Sequence, residues 1–147
     1  MITFKEFETK TGGRLDAVDV TSEVAGVVAD SGVKSGTALV FSPHTTCCVL
    51  LAVPSREMLD ALERAMAAIA PNDGYYAHDD FKIRTENLTE NEPANAPAHI
   101  IHIFLGKASE AIPIVDGCLS LGEGQRILFI ELDSSRARRY TVQVIGE

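Results

Sequence analysis

Four histidines, all between positions 44 and 102, are the residues best suited to chemistry in this chain. His44 follows a proline at the head of a Thr-Thr-Cys-Cys-Val run. His78 stands in Tyr75-Tyr76-Ala77-His78-Asp79-Asp80, just after a turn. His99 falls in the first turn of a short helical segment, where the positive end of the helix dipole disfavours an imidazolium. A neutral imidazole is the form that binds metal. Three of them from separate elements can surround one divalent ion, such as zinc, and leave a position open for chemistry. There is no His-Glu-x-x-His helix and no Cys-x-x-Cys pair, so spacing alone favours ordinary hydrogen-bonding histidines over ligands. His102, one helical step from His99, could share its face; among Ile101, Ile103 and Phe104 a place in the core suits it better.

Three other groups carry chemical potential. Glu131 ends the apolar run Ile127-Leu128-Phe129-Ile130 on the strand face of Ile127 and Phe129, where a carboxylate is costly unless paired, hydrogen-bonded or metal-bound. Either it makes an ion pair with an arginine such as Arg139 on a neighbouring strand, or it serves as an acid–base group beside the histidines. Arg136, Arg138 and Arg139 lie together, and Arg138 or Arg139 could grip an oxygen pair of one anion; Arg136 reads as a solvated strand end. Cys47, three residues after His44, raises a thiol nucleophile with a histidine base. Strand alternation instead places His44, Thr46 and Cys48 on one face and Cys47 on the other, as a buried structural cysteine.

The elements that must position these residues can be read from periodicity. Residues 2–9 and 15–20 alternate as two antiparallel strands around a Thr11-Gly12-Gly13 turn. A helix over 21–30 follows, with Thr21 as N-cap and Val24, Val27 and Val28 as its buried stripe. Strands over 36–41 and 45–53 flank Ser42-Pro43-His44. Beyond Pro54-Ser55, Met58, Leu59, Leu62, Met66 and Ile69 mark one face of the clearest helix. Residues 75–94 read as a long surface loop of the kind that is often functional. Asn95 caps a third helix, Pro97 suits its first turn and Gly106 its end. Strands over 112–115, 118–121, 126–132 and 139–145 complete the chain; in the last, Tyr140, Val142 and Val144 alternate with Arg139, Thr141 and Gln143. Seven or eight strands with three helices and short late connections point to an α+β fold, mostly antiparallel, in a single domain over 1–147.

Composition narrows the function classes. A formal charge of −8 over 147 residues opposes binding to nucleic acid or an anionic membrane surface. No apolar run approaches the ~20 residues of a membrane span, and the N-terminus lacks signal-peptide character, so a cytoplasmic location is expected. Three cysteines, an odd number, fit reduced thiols and not a disulfide framework.

In order along the chain, Ser42-Pro43-His44-Thr45-Thr46-Cys47, Tyr76-Ala77-His78-Asp79, Ala98-His99-Ile100 with Leu105-Gly106, Ile112-Pro113-Ile114 to Gly117, and Glu131 with Arg138-Arg139 resemble the motifs of the YjbQ family, whose members are often described as secondary thiamine-phosphate synthases. Gly122-Glu123-Gly124-Gln125 departs from that family's usual Gly-Thr-Trp-Gln, and Ala52-Val53-Pro54 replaces its Asn-Glu pair. The resemblance implies two packed sheets with helices, assembled as a homotrimer. His44, His78 and His99 would form a pocket able to hold a divalent metal such as zinc, with Glu131 and Arg139 as catalytic groups and a small phosphorylated molecule as ligand. The implied activity is low-level thiamine-phosphate synthesis from a pyrimidine diphosphate and a thiazole phosphate. The same parts could instead serve a metal-dependent phosphate-ester hydrolase or a binding protein without turnover.

Overall fold

The computed structural model describes residues 1–147. Its elements run β1 (Ile2–Lys10), β2 (Ala17–Asp19), α1 (Thr21–Ser31), β3 (Gly36–Phe41), β4 (Cys47–Ala52), α2 (Arg56–Ile69), a 3-10 turn (Ala77–Asp79), α3 (Ala96–Leu105), β5 (Ser109–Val115), β6 (Cys118–Leu119), β7 (Arg126–Glu131) and β8 (Ala137–Gly146). They form a five-stranded sheet in the order β1-β8-β3-β5-β6 and a three-stranded sheet in the order β2-β7-β4. Every strand pairing is antiparallel. The α+β expectation, with two packed antiparallel sheets and three helices, therefore holds.

The two sheets differ in how they are covered. Ala38, Val40, Ile112, Ile114, Tyr140, Val142 and Val144 of the larger sheet meet Cys47, Val49, Ile127 and Phe129 of the smaller one, with α1 adding Val24, Val27 and Val28. The reverse face of the smaller sheet, through Cys48, Leu128 and Ile130, packs on Met66 of α2 and on Ala98 and Ile101 of α3. Burial on both faces explains why β7 reads as unbroken hydrophobic sequence, whereas β8 alternates. Each fully buried side chain of the size of Phe129 contributes roughly 1.5–3 kcal/mol.

Some local expectations change. Residues 2–9 and 15–20 do not make a hairpin: β1 pairs along β8 and β2 pairs with β7, in different sheets. The Thr11–Asp16 segment instead crosses from one sheet to the other. Thr21 does not cap α1; its amide is taken by Asp19, and its hydroxyl accepts from the Ile127 amide. On α2, Ser55 caps as its type suggests, but Met58 and Ile69 stay exposed and only Met66 of the apolar stripe is fully buried. β6 is two residues long, shorter than the expected strand over 118–121. Gly106 ends α3 in the left-handed conformation, φ 62°, as glycine readily does.

Candidate functional site

The ends of β7 and β8 carry a buried polar knot. Alternation along β8 turns Arg138, in phase with Tyr140 and Val142, to the inner face, where it is 7% exposed; Arg139 points outward. Arg138 donates from Nε and Nη2 to the two oxygens of Glu131, at 2.7 and 2.6 Å, a bidentate pair on a carboxylate with no exposed surface. Nη2 also donates to Thr46 Oγ1 at 3.0 Å, and Thr11 Oγ1 donates to Glu131 at 2.6 Å. Burial by itself would raise the Glu131 carboxyl, but the bonds from Arg138 and Thr11 outweigh it and hold it below the usual range. The partner of Glu131 is thus Arg138. Arg139, the expected alternative, reaches only toward Glu6, 3.8 Å away.

Cys47 lies directly across β4–β7 from Glu131, with its thiol 3.5 Å from that carboxylate. Burial, then the neighbouring negative charge, pushes the thiol well above its ordinary value. Such a thiol is no nucleophile, and the structural reading of Cys47 stands. The strand alternation proposed around His44 does not apply, because β4 begins only at Cys47.

His44 is instead fixed from β8. Its Nε2 lies 3.1 Å from the Arg139 amide and 3.0 Å from the Arg139 carbonyl. Burial, followed by the Arg138 charge, lowers its pKa. On the facing side, Asp79 accepts from His78 Nδ1 at 2.7 Å and from the Ala96 amide at 3.0 Å. Asp79, and not Asn95, therefore caps α3, and the same carboxylate orients His78 so that its Nε2 is left for other partners. His99 sits with its ring centroid 4.8 Å from that of His78. Its pKa is lowered first by burial and then by His78, so the reduction expected from the helix end has a different principal cause. His102 lies against the His44 backbone and does not line the cavity; its Nε2 is buried without a partner.

His44, His78 and His99 line one cavity of about 550 Å³ together with Thr46, Arg84, Asn87, Thr89, Glu92, Asn95, Arg136 and Arg138. Pro43, Thr45 and Pro93 complete the lining, which carries no aliphatic or aromatic hydrocarbon side chain apart from the two prolines. Glu131 and Arg139 are not among the lining residues. Arg136, read from sequence as a solvated end, does line it, braced by Asp133 at 2.6 Å. Arg84, Glu92 and their loop neighbours escaped the sequence reading because an irregular segment has no period to mark which side chains turn inward. The only available signal was the polar length of the 75–94 stretch.

Imidazoles are suitable donors for zinc, but no three His, Cys, Asp or Glu side chains converge as a metal-holding group. Within one chain the residues as placed do not fit a closed three-histidine centre. What the cavity does present is hydrogen-bond donors. Arg138 Nη1 makes no bond to protein and is not sealed from solvent, so it faces the cavity from a guanidinium that is otherwise locked.

No helix is long and apolar enough to cross a membrane. The sequence matches, over residues 5–147, the family described as "UPF0047 protein YjbQ-like". A UPF0047 protein of Methanothermobacter thermautotrophicus is 33% identical over 97% of this chain and 92% of its own. Another, from Archaeoglobus fulgidus, is 32% identical over 95% and 99%. Among solved structures, a YbjQ-like protein of unknown function from Sulfolobus solfataricus superposes with a TM-score of 0.85 at 25% identity, covering 100% of this chain and 99% of that one. A YjbQ/UPF0047 family protein of Clostridium acetobutylicum gives 0.81 at 30% identity over 96% and 99%. The motif order, the fold and these matches agree, and the chain belongs to the YjbQ/UPF0047 family.

Proposed function

We propose that the cavity binds a small phosphorylated molecule and that its histidines move protons to or from it. The observation carrying this reading is a lining that gathers three arginines and three histidines in a chain of net charge −8. Acidic proteins do not attract anions in general, so a cavity bearing Arg84, Arg136 and Arg138 is a local exception. The carboxylates that hold Arg136 and Arg138 stand behind them, outside the lining, which fixes the donors in place without blocking them. Arg138 Nη1 is the primary anchor for a phosphate oxygen. His78, held by Asp79, offers Nε2 as a proton acceptor. His44 accepts the Arg139 amide on Nε2 in one tautomer, which leaves Nδ1–H as a donor.

The test is titration with inorganic phosphate, the simplest ligand of this chemistry. Arg138→Met should weaken binding at least tenfold while secondary structure is retained; unchanged affinity would remove the anion reading. The thiamine-phosphate synthesis implied by the family resemblance would use this site for a diphosphate and a phosphate, with Glu131 acting through Arg138 by positioning it. Ester hydrolysis would use a water beside His78, and a product carrying a freed hydroxyl separates the two. Glu131→Gln protein that binds phosphate and turns over neither substrate type would favour plain binding. A divalent metal such as zinc on His44, His78 and His99 would need these side chains to move together, since they line one cavity but do not converge within one chain. Metal content of wild type against the three alanine variants tests it.

Self-association is part of the same proposal. The outer face of the five-stranded sheet carries exposed Ile2, Phe4, Phe41, Val115 and Ile145 with no layer over it. Arg139 projects from that face while its backbone holds His44. A homotrimer packed there would bring this outward arginine, expected from sequence to be catalytic, to a subunit boundary beside the cavity.

A further inference from the structure

A second, smaller cavity of about 340 Å³ lies on the other side of Asn95 from the histidine cavity. Arg14, Asn72, Asp79, Asn95 and Asp133 supply its polar lining. Three of its polar atoms are buried and have no partner: Arg14 Nε, Arg14 Nη2 and Asn95 Oδ1. Asn95 is 7% exposed, and its amide orientation is set because Nδ2 donates to Asp133 at 2.8 Å. A buried guanidinium edge with two unused N–H groups costs free energy unless something occupies the space before it. The chain also holds Arg14 there deliberately. Its Nη1 donates to Asn72 Oδ1 at 2.8 Å, and the next residue, Leu15, adopts φ 61°, a conformation unfavourable for leucine, with its amide bonded to the Glu131 carbonyl at 2.7 Å. Glu63, 3.9 Å from Nε, is too far to satisfy that edge.

We propose that this cavity is a second oxyacid subsite, taking a phosphate group that still carries a proton. The Nε/Nη2 edge of arginine is the geometry that receives two oxygens of one phosphate or carboxylate. The remaining lining decides between anions. Asn95 Oδ1 can only accept, and the nearby Asp79 and Asp133 carboxylates repel a fully deprotonated anion. A group offering two acceptor oxygens and one O–H donor meets all of them; hydrogen phosphate does so at neutral pH, and sulfate, which has lost its protons, does not. The subsite rests on the anion-binding reading of the first cavity and extends it. Asp133 braces both Asn95 and Arg136, and Asp79 holds His78, so one polar wall serves both cavities. The ligand class that follows is inorganic phosphate, or a phosphate monoester taken up as its protonated monoanion, held beside a phosphorylated molecule in the first cavity.

The experiment is calorimetric titration of the full chain with inorganic phosphate at neutral pH, alone and in the presence of sulfate. Wild type should bind two phosphates per chain, only one of them displaced by sulfate. Arg14→Met should retain only the sulfate-sensitive phosphate. Arg138→Met should retain only the sulfate-resistant one. Arg14→Lys keeps the charge without the fork and should weaken the resistant phosphate at least tenfold; it carries the test if Arg14→Met fails to fold. One phosphate per wild-type chain, lost with Arg138→Met and indifferent to Arg14, would overturn the second subsite and leave the first reading standing. Two phosphates equally displaced by sulfate would overturn it as well, and no binding at all would sink both.

Discussion

The histidine cavity has two unlike walls, and each is organised by an arginine–carboxylate pair. At the strand ends, Arg138 and Glu131 are sealed in the sheet, at 6% and 0% side-chain exposure, and two threonines complete their bonding. In the loop wall, Arg84 pairs with Glu92 but spends most of its donors on the backbone carbonyls of His78, Glu86 and Asn87. The first pair fixes one donor that looks into the cavity. The second stitches together a segment with no regular hydrogen bonding of its own. Ion pairs of the same composition thus do different work: where the backbone is already held by a sheet, the arginine is free to face a ligand, and where it is not, the arginine is consumed in holding it.

The largest expected effect falls on the strand-end wall. Glu131→Leu leaves the Arg138 guanidinium buried without its carboxylate, and loss of one member of a buried pair costs about 3–5 kcal/mol. Urea unfolding reads this directly; a loss below about 1 kcal/mol would show that Arg138 escapes to solvent and that the wall is not rigid. Arg84→Ala should act differently. Protease cleavage within residues 80–94 should rise and phosphate affinity should fall several-fold, while the global unfolding midpoint changes little. A large drop in that midpoint would mean that both walls unfold as one unit.

The smallest effect separates the histidines from the strand-end ion pair by pH. His44 and His99 are held below the ordinary histidine value, so the unfolded chain binds protons that the folded one refuses. Stability from this source is present above about pH 6.5 and declines as pH falls through that value. Glu131 is held below its ordinary value, so its contribution persists to lower pH and is lost only as pH falls through the carboxylate range. Unfolding measured from pH 8 to pH 3 should show a shallow decline first and a steeper one later. His99→Gln should make the first shallower, leaving the share from His44, without moving the second.

Much of this was legible from residue order. Alternation along β8, extended one residue toward its start, puts Arg138 in phase with Tyr140 and Arg139 out of phase; that signal was present and identifies the partner of Glu131. The three histidines were found by type, and the structure brings them to one cavity. Arg136 and the loop residues were not legible, since neither a strand end nor an aperiodic loop has a pattern that marks its inward side chains.

Local propensity and hydrophobic period determine elements because they depend on residues a few positions apart. Helices α1, α2 and α3, the run of strands and the antiparallel α+β class follow from that. Partnership between elements is another matter. β1 lies beside β8, with Ile2 opposite Ile145, and not beside its sequence neighbour β2. Asp79 caps a helix that begins seventeen residues later. Such contacts are chosen by how whole faces can be buried together, a property of the assembled layers and not of any window of sequence. Which arginine met Glu131, which carboxylate held His78, and whether the imidazoles shared a cavity were settled only by that packing.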